Sequence, residues 1–368
     1  MGNWIKVKIS DIGEVVGGAT PSTKNEQFYN GDISWITPKD LSDFKGRFIS
    51  HGERNITQQG LESCSTRLLP KNTILFSSRA PIGYVAIAKK NMCTNQGFKS
   101  VIPNEKIDYM FLYYLLKYNK DRIEAMGSGT TFKEVSGSTM RNIEVEIPRS
   151  ITEQKKIANI LDAIDSKIEN NQEINSNLEQ QILSIFTAQF KRLYNSSSST
   201  FENIIKFSNG KKRPDEIGNI PVYGGNGILA YTKNFNSENC VIIGRVGAYC
   251  GNVFLSTGPC WVSDNAIQAK SKISDSQLFV YYALKGANLP NRHIGTGQPL
   301  MTQGILNAIP FEIPDTKAVF EFEQRCIPLQ QMIEKNLAEN KKLSSIRDIL
   351  LPKLISHEID VSSVNLGN

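Results

Sequence analysis

Two arginines each follow a short apolar run and stand in a glycine-bearing loop: Arg79 in Phe76-Ser-Ser-Arg-Ala-Pro-Ile-Gly83 and Arg245 in Ile243-Gly-Arg-Val-Gly-Ala-Tyr-Cys-Gly251. A loop arginine can grip a phosphate or read guanine O6 and N7 with its two-pronged guanidinium, and pairing with a nearby carboxylate is the other use open to it. Amide-rich stretches accompany both, Thr94-Asn95-Gln96-Gly97 and Ser263-Asp264-Asn265-Ala266. Such amides bond adenine N6 and N7 or satisfy local turns. Two polar hairpins follow, Gly127-Ser128-Gly-Thr130-Thr131-Phe-Lys133 and Gly295-Thr296-Gly-Gln298-Pro-Leu-Met-Thr302. Their exposed N–H groups and hydroxyls suit phosphate contacts, and a plain connecting loop is the alternative. Lys211-Lys212-Arg213 is the one compact basic run, a phosphate clamp or a solvated cluster. With Ser22, Lys24, Lys39, Ser77, Ser78, Asn226 and Arg292, these residues are the candidate DNA contacts.

Catalytic constellations are missing. The chain has no GxxxxGK[ST] phosphate loop, no HExxH and no [DN]-P-P-[FYW] tetrad, to which Asn288-Leu-Pro-Asn291 is the nearest approach. Gly224-Gly-Asn-Gly227 follows Pro221-Val-Tyr223 without opening a periodic helix, so it fails as a dinucleotide fingerprint. Six scattered cysteines without CxxC spacing and three histidines indicate neither a zinc site nor a disulfide framework, which fits a reducing cytoplasm. The expectation is a chain with no catalytic residue, no metal site and no cofactor of its own.

The elements that must position the loops are written twice. Glu153-Gln-Lys-Lys-Ile-Ala-Asn-Ile has a cousin beginning at Phe322, and Ile168-Glu169 recurs as Ile333-Glu334 at an offset of 165. Upstream, Phe111 to Lys117 is echoed by Leu278 to Lys285, and Ile143 to Pro148 by Ile309 to Pro314. So long a period is a duplicated domain plus helix. Short runs at 33–37, 73–77, 83–88 and 143–147 read as strands, with a helix from Tyr109 to about Met126. Runs at 241–243, 253–255 and 266–269, with a helix over 276–285, repeat the plan, and Ser196 to Thr200 reads as a flexible joint.

Composition agrees with a soluble globular protein: 40% hydrophobic, 21% charged, no apolar signal stretch at the start and no 18-residue apolar run. Of the net charge of +6, residues 1–150 carry +5, 151–195 carry −1, 196–315 carry +2 and 316–368 carry zero. The positive excess lies in the globular segments, where a polyanion would dock.

Each segment ends in a heptad-patterned helix, roughly 154–190 and 320–356. Ile157, Leu161, Ile164, Ile168, Asn171, Asn175, Leu178, Ile182 and Ile185 form one seam. Phe322, Cys326, Leu329, Ile333, Asn336, Asn340, Leu343, Arg347 and Leu350 form the other, with Pro328 implying a kink or a late start. If the helices pack antiparallel, Asn171 and Asn175 meet Asn336 and Asn340 at the midpoints and fix the register. Alternatively the asparagines lie on a solvated flank and Ile174 and Leu337 take the seam. About 36 residues of helix span roughly 54 Å, or about 16 base pairs of B-DNA.

These residues resemble those of the specificity subunits of Type I restriction-modification systems, along nearly the whole chain. The resemblance rests on Gly17-Gly-Ala-Thr-Pro-Ser22 with Trp35-Ile-Thr-Pro-Lys-Asp-Leu41, on Ile220 to Gly227, on Ile243-Gly-Arg245 with Trp261-Val-Ser-Asp-Asn265, and on the tail Leu343 to Ile359. It implies an α+β fold of two similar target-recognition domains, each followed by a long helix, the helices packed as an antiparallel coiled coil. The boundaries expected are recognition domain 1 over 1–150, a central conserved spacer helix over 151–195, recognition domain 2 over 196–315, a C-terminal conserved helix over 316–360 and a tail over 361–368.

The resemblance further implies a non-catalytic reader of a bipartite double-stranded DNA target, with one domain per half-site. The helices would dock two modification subunits, which hold S-adenosylmethionine and methylate adenine N6. Restriction subunits would add ATP- and Mg-dependent translocation and cleavage, all in the cytoplasm and away from any membrane. The leading alternative is the recognition subunit of a related split-site system with a fused methylase-nuclease partner. A self-sufficient methyltransferase or nuclease, and a coiled-coil adaptor that binds no DNA, are the readings from other classes.

Overall fold

The computed structural model describes residues 4–129, 133–195, 198–295 and 297–361. The chain divides into two compact units, Met1–Asn171 with Glu339–Asn368, and Gln172–Ala338. The division cuts both long helices, so each unit is a globular part plus half of each helix.

Unit 1 runs β1 (Trp4–Lys8), α1 (Ile9–Ile12), β2 (Gly13–Gly17), β3 (Tyr29–Ile36), β4 (Phe48–Ile49), β5 (Arg54–Ile56), α2 (Gln58–Glu62), β6 (Ile74–Ser78), β7 (Ile82–Ala88), β8 (Cys93–Thr94) and β9 (Lys99–Pro103). Then come α3 (Tyr109–Tyr118), α4 (Lys120–Ala125), α5 (Gly137–Asn142), β10 (Glu144–Pro148) and the start of α6 (Ile151–Phe190). The main sheet has the order β2-β9-β6-β7-β4, beside a three-stranded β5-β3-β8 sheet and a β1-β10 pair. The helix expected over 109–126 is two. Asp108 caps α3 by accepting from Met110 and Phe111 N–H, and Asn119 ends it, turning its side-chain amide back onto the Leu115 carbonyl. Ile74, Phe76, Phe111, Leu112 and Leu115 fill the core with Ile157, Ala158 and Leu161 of α6. Each such Ile, Leu or Phe side chain stabilises the fold by about 1.5–3 kcal/mol.

Unit 2 runs α7 (Phe201–Ile204), β11 (Ile205–Asn209), β12 (Ile220–Gly224), β13 (Gly227–Thr232), β14 (Ser237–Gly244), β15 (Val253–Val262), β16 (Ala266–Ser271), α8 (Gln277–Gly286), α9 (Gln303–Asn307) and the first half of α10 (Thr316–Ile355). Its sheet has the order β11-β16-β14-β15-β12-β13. The first four strands match β2-β9-β6-β7 of unit 1 in order and in antiparallel pairing. The second core is aromatic, with Phe186 and Phe190 of α6 packed on Phe279, Tyr282 and Phe322.

In each unit a buried polar side chain near the start of the long helix ties it to the globular part before it. Gln154 accepts from Asp108 N–H at 2.8 Å and donates to the Lys106 and Pro148 carbonyls, joining α6 to the start of α3. Glu323 accepts from Phe279 N–H at 2.7 Å, joining α10 to the first turn of α8. Burial of the Glu323 carboxyl pushes its pKa up to about 7, against the pull of the Phe279 and Leu278 N–H groups.

Within each unit the two long helices run antiparallel. In unit 1, Asn171 donates to Asn340, and Asn340 in turn donates to the Ile168 carbonyl. In unit 2, Asn336 donates to Asn175 and Asn175 to the Ile333 carbonyl. The asparagines therefore hold the seam, while Ile174 and Leu337 face outward at 43% and 56% exposure. Three details depart from the heptad pattern and the joint it implies. Asp165 and Phe186 are buried where the pattern predicts Ile164 and Ile185, because Asp165 is paired and Phe186 enters the aromatic core. Nor does α10 start late: it begins at Thr316 and continues through Pro328. The joint is anchored too, for Ser199 accepts from Phe311 N–H and Thr200 bridges Pro310; Ser196, Ser197 and residues 362–368 lie outside the described residues.

Candidate nucleic-acid interface

In unit 1 the loops singled out in the sequence meet at one edge of the main sheet. The end of β2 passes so close to the β8–β9 turn that a Cβ on Gly18 would stand 2.1 Å from the Thr94 carbonyl oxygen, so only glycine fits. Thr20 reaches across to hydrogen-bond the exposed Gln96, and Asn95 Oδ1 accepts from Gly97 N–H at 2.9 Å to shape the turn. The Gly97 carbonyl accepts from Ser78 N–H, which leads straight into Arg79. Ser128 and Glu134 exchange backbone bonds, and Val135 N–H then donates to the Ser78 carbonyl, so the hairpin docks beside Arg79. Glu134 lies 3.7 Å from Arg79 and 3.0 Å from Lys99. One carboxylate faces two cations, with exposed Lys133 next to it, and the edge keeps a positive excess.

Unit 2 builds the same edge from different residues. A Cβ on Gly210 would stand 1.9 Å from the Ser263 carbonyl oxygen, repeating the close approach at Gly18. Lys211 bridges Ser263, Arg245 N–H donates to the Asn265 carbonyl, and Arg245 Nη1 donates to the Asp264 carbonyl at 3.3 Å. The second hairpin docks on this loop through Val246 with Leu300, and through Gly247 N–H to the Pro299 carbonyl. Gly224 to Gly227 is the turn between β12 and β13, placing exposed Asn226 near the Arg245 loop. Trp35 and Trp261 brace the two edges alike, their indole N–H groups donating to the Ala19 and Lys211 carbonyls.

Several candidates are used by the fold itself. Ser77 and Ser78 are fully buried in β6, with Ser77 donating to the Pro81 carbonyl and Ser78 to the Gly97 carbonyl, so neither hydroxyl is presented to a ligand. Thr302 caps α9 by accepting from Ile305 N–H, and Arg292 Nε donates to the Ala287 carbonyl. Lys39 pairs with Glu53 at 2.8 Å, and that hydrogen bond raises its pKa. Ser22, Lys24, Lys212, Arg213 and Gln298 are exposed; Thr130, Thr131 and Thr296 lie outside the described residues.

Sequence reasoning passed over Lys99, Glu134 and Arg54. Arg54 stands across the ladder from Trp35 with its guanidinium 5.9 Å from the Tyr29 ring, between two surface cavities of about 380 and 260 Å³. Its only sequence signal is a polar His51-Gly-Glu-Arg-Asn55 run beside a strand. Among the described residues no group of three or more His, Cys, Asp or Glu could hold a metal ion, and no helix is long and apolar enough to cross a membrane.

The chain has counterparts among known proteins. The family model described as Type I restriction modification DNA specificity domain matches residues 1–180 and again 198–346. The Type I restriction enzyme MjaIX specificity subunit of Methanocaldococcus jannaschii is 32% identical over 98% of this chain and 95% of its own. The EcoprrI specificity subunit of Escherichia coli is 25% identical over 83% and 82%. The crystal structure of a Type I restriction-modification S subunit from M. genitalium shares the fold, with a TM-score of 0.63 over 96% of both chains at 22% identity. Two matched domains, a full-length relative and a shared fold converge: the chain belongs to the family of Type I restriction-modification specificity subunits.

Proposed function

We propose that the chain is the non-catalytic DNA reader of its complex, each unit reading one half of a bipartite target with its loop edge. The observation that carries this is the duplication of the edge: a glycine that lets two loops touch, an arginine after a central strand, an amide-bearing turn and a docked hairpin occur in both units with different side chains. Shared backbone and divergent side chains are what two readers of different half-sites require. Arg79, Lys133, Arg245 and the nearby polar residues are the proposed contacts.

The outward faces of the long helices, with exposed Ile174 and Leu337 in one unit and Ile346 and Ile349 in the other, are the proposed docking surface for two modification subunits. Those subunits would carry S-adenosylmethionine and methylate adenine N6, and restriction subunits would supply the ATP- and Mg-dependent cleavage, in the cytoplasm. The test is a domain exchange in the complex with its methylase. Replacing residues 1–150 with those of a relative should change one half of the methylated motif and leave the other. A change in both halves, or in neither, would refute the modular reading.

A further inference from the structure

In unit 1 the loop before β4 sends one side chain onto α6 and buries it there. Arg47 is 5% exposed, and its donor groups converge on a single face of that helix. Its backbone N–H and its Nε both donate to Glu169 Oε1 at 3.0 Å, and Nη2 donates to Glu169 Oε2 at 2.7 Å and to Ser166 Oγ at 2.9 Å. Nη1 donates to Asp162. Burial alone would lower the Arg47 pKa; the Glu169 and Asp162 contacts outweigh it and hold the pKa above the ordinary arginine range. A guanidinium gripping a carboxylate from two sides is directional as well as strong.

Direction matters because the largest part of the remaining contact is apolar. Ile157, Ala158 and Leu161 of α6 meet the domain through apolar packing, which favours burial without fixing a rotation. Arg47 fixes it. The Arg47 carbonyl accepts from Ile87 N–H at 2.8 Å, and the next residue, Phe48, pairs with Ile87. The clamp is thus continuous with the sheet whose β6 strand ends at Ser78, just before Arg79. One turn along α6, buried Asp165 accepts from Tyr114 of α3 at 2.9 Å and from Arg347 of α10 at 2.8 Å, so both long helices are held. In unit 2, β15 meets α10 at the corresponding place through a hydrogen bond between exposed groups, Thr257 to Glu334 at 3.1 Å.

We infer that Arg47 is a positioning residue that locks recognition domain 1 on the helix pair, and so sets the half-site spacing the subunit accepts. This rests on the reading of the chain as a split-target DNA reader. Adding one base pair to the spacer moves a half-site by about 3.4 Å and turns it by about 35°. A locked domain cannot follow; a loosened one can.

The test uses the full chain in complex with its modification subunits, on duplexes with the native spacer and with spacers one base pair longer and shorter, read as methyl-transfer rates. Wild type should favour the native spacer. R47M should lower that preference about tenfold or more with the methylated half-site sequences unchanged, as expected for a lost buried charge contact. R47K, which keeps the charge without the fork, should fall between. If R47M does not fold, E169Q decides by the same ratio. A folded variant with the wild-type ratio, or one that loses activity equally on all spacers, overturns the inference. If wild type itself modifies no split target, the underlying reading fails and the inference falls with it.

Discussion

Asn171 donates its side-chain amide to Asn340 Oδ1 at 2.8 Å across the helix seam of unit 1, with Asn171 only 1% exposed. A buried amide pair is weakly stabilising when complete and unfavourable when broken. N171L should therefore destabilise unit 1 by about 1–3 kcal/mol, because it strands the Asn340 oxygen in an apolar seam. N171L/N340L should regain that loss and match or exceed wild type, since both polar groups are gone. Thermal unfolding of the two variants checks it; a double variant no more stable than the single would show that the pair does something other than fix register.

Glu323 carries a pH dependence that its counterpart Gln154 lacks. Burial raises the Glu323 pKa to about 7, with Asp275 adding to the rise. A carboxyl whose folded pKa lies above its unfolded value of about 4.3 favours the folded state fully below that value. That contribution is lost as pH rises through about 7. E323Q, which can still accept from Phe279 N–H, should therefore be more stable than wild type at pH 8 by roughly 1–3 kcal/mol and equal or less stable at pH 5. Unfolding midpoints from pH 5 to pH 8 measure the difference in slope, and parallel slopes would exclude Glu323 as its source.

Gly18 and Gly210 hold open the same close approach in the two units. A methyl group at Gly210 would stand 1.9 Å from the Ser263 carbonyl oxygen, a backbone atom that cannot swing aside. G210A should destabilise unit 2 by about 1–3 kcal/mol through forced displacement of the loop. It should also weaken recognition of one half-site only, because the displaced loop leads into Lys211 and the Asp264–Asn265 turn. Methylation of duplexes altered in one half at a time would reveal whether both halves suffer.

Arg245, as a proposed contact, has two uses that differ in what they predict. If its guanidinium reads a base, R245A should lower affinity by about 1–3 kcal/mol and relax specificity at one position of one half-site. If it grips a phosphate, the motif should survive and the salt dependence of binding should fall by about one unit of slope. Binding titrations at several salt concentrations, with the methylated motif sequenced in parallel, separate the two. The absence of both effects would remove Arg245 from the interface.

Most of the fold is legible in the chain itself, since strand and helix patterns are local. The runs at Ile74, Ile82, Val241 and Ala266 form strands, and the repeats at Phe111 and Leu278 form α3 and α8. Where local pattern is ambiguous, long-range contacts decide. Asp165 displaces Ile164 from the seam because Tyr114 and Arg347, distant in sequence, complete its hydrogen bonds. Asn119 ends α3 earlier than periodicity suggests.

The site follows the same division. From the sequence alone come the duplication, the heptad helices with their asparagines, and the glycine-bearing loops with Arg79 and Arg245, because each is a pattern of neighbours along the chain. Only the tertiary structure decides that Ser77 and Ser78 face inward, that Glu134 stands between Arg79 and Lys99, and that Arg47 closes on Asp162 and Glu169. Burial and ion pairing depend on which distant residues arrive at a given point in space. That information lies in the packing of the units and in no single stretch of the chain.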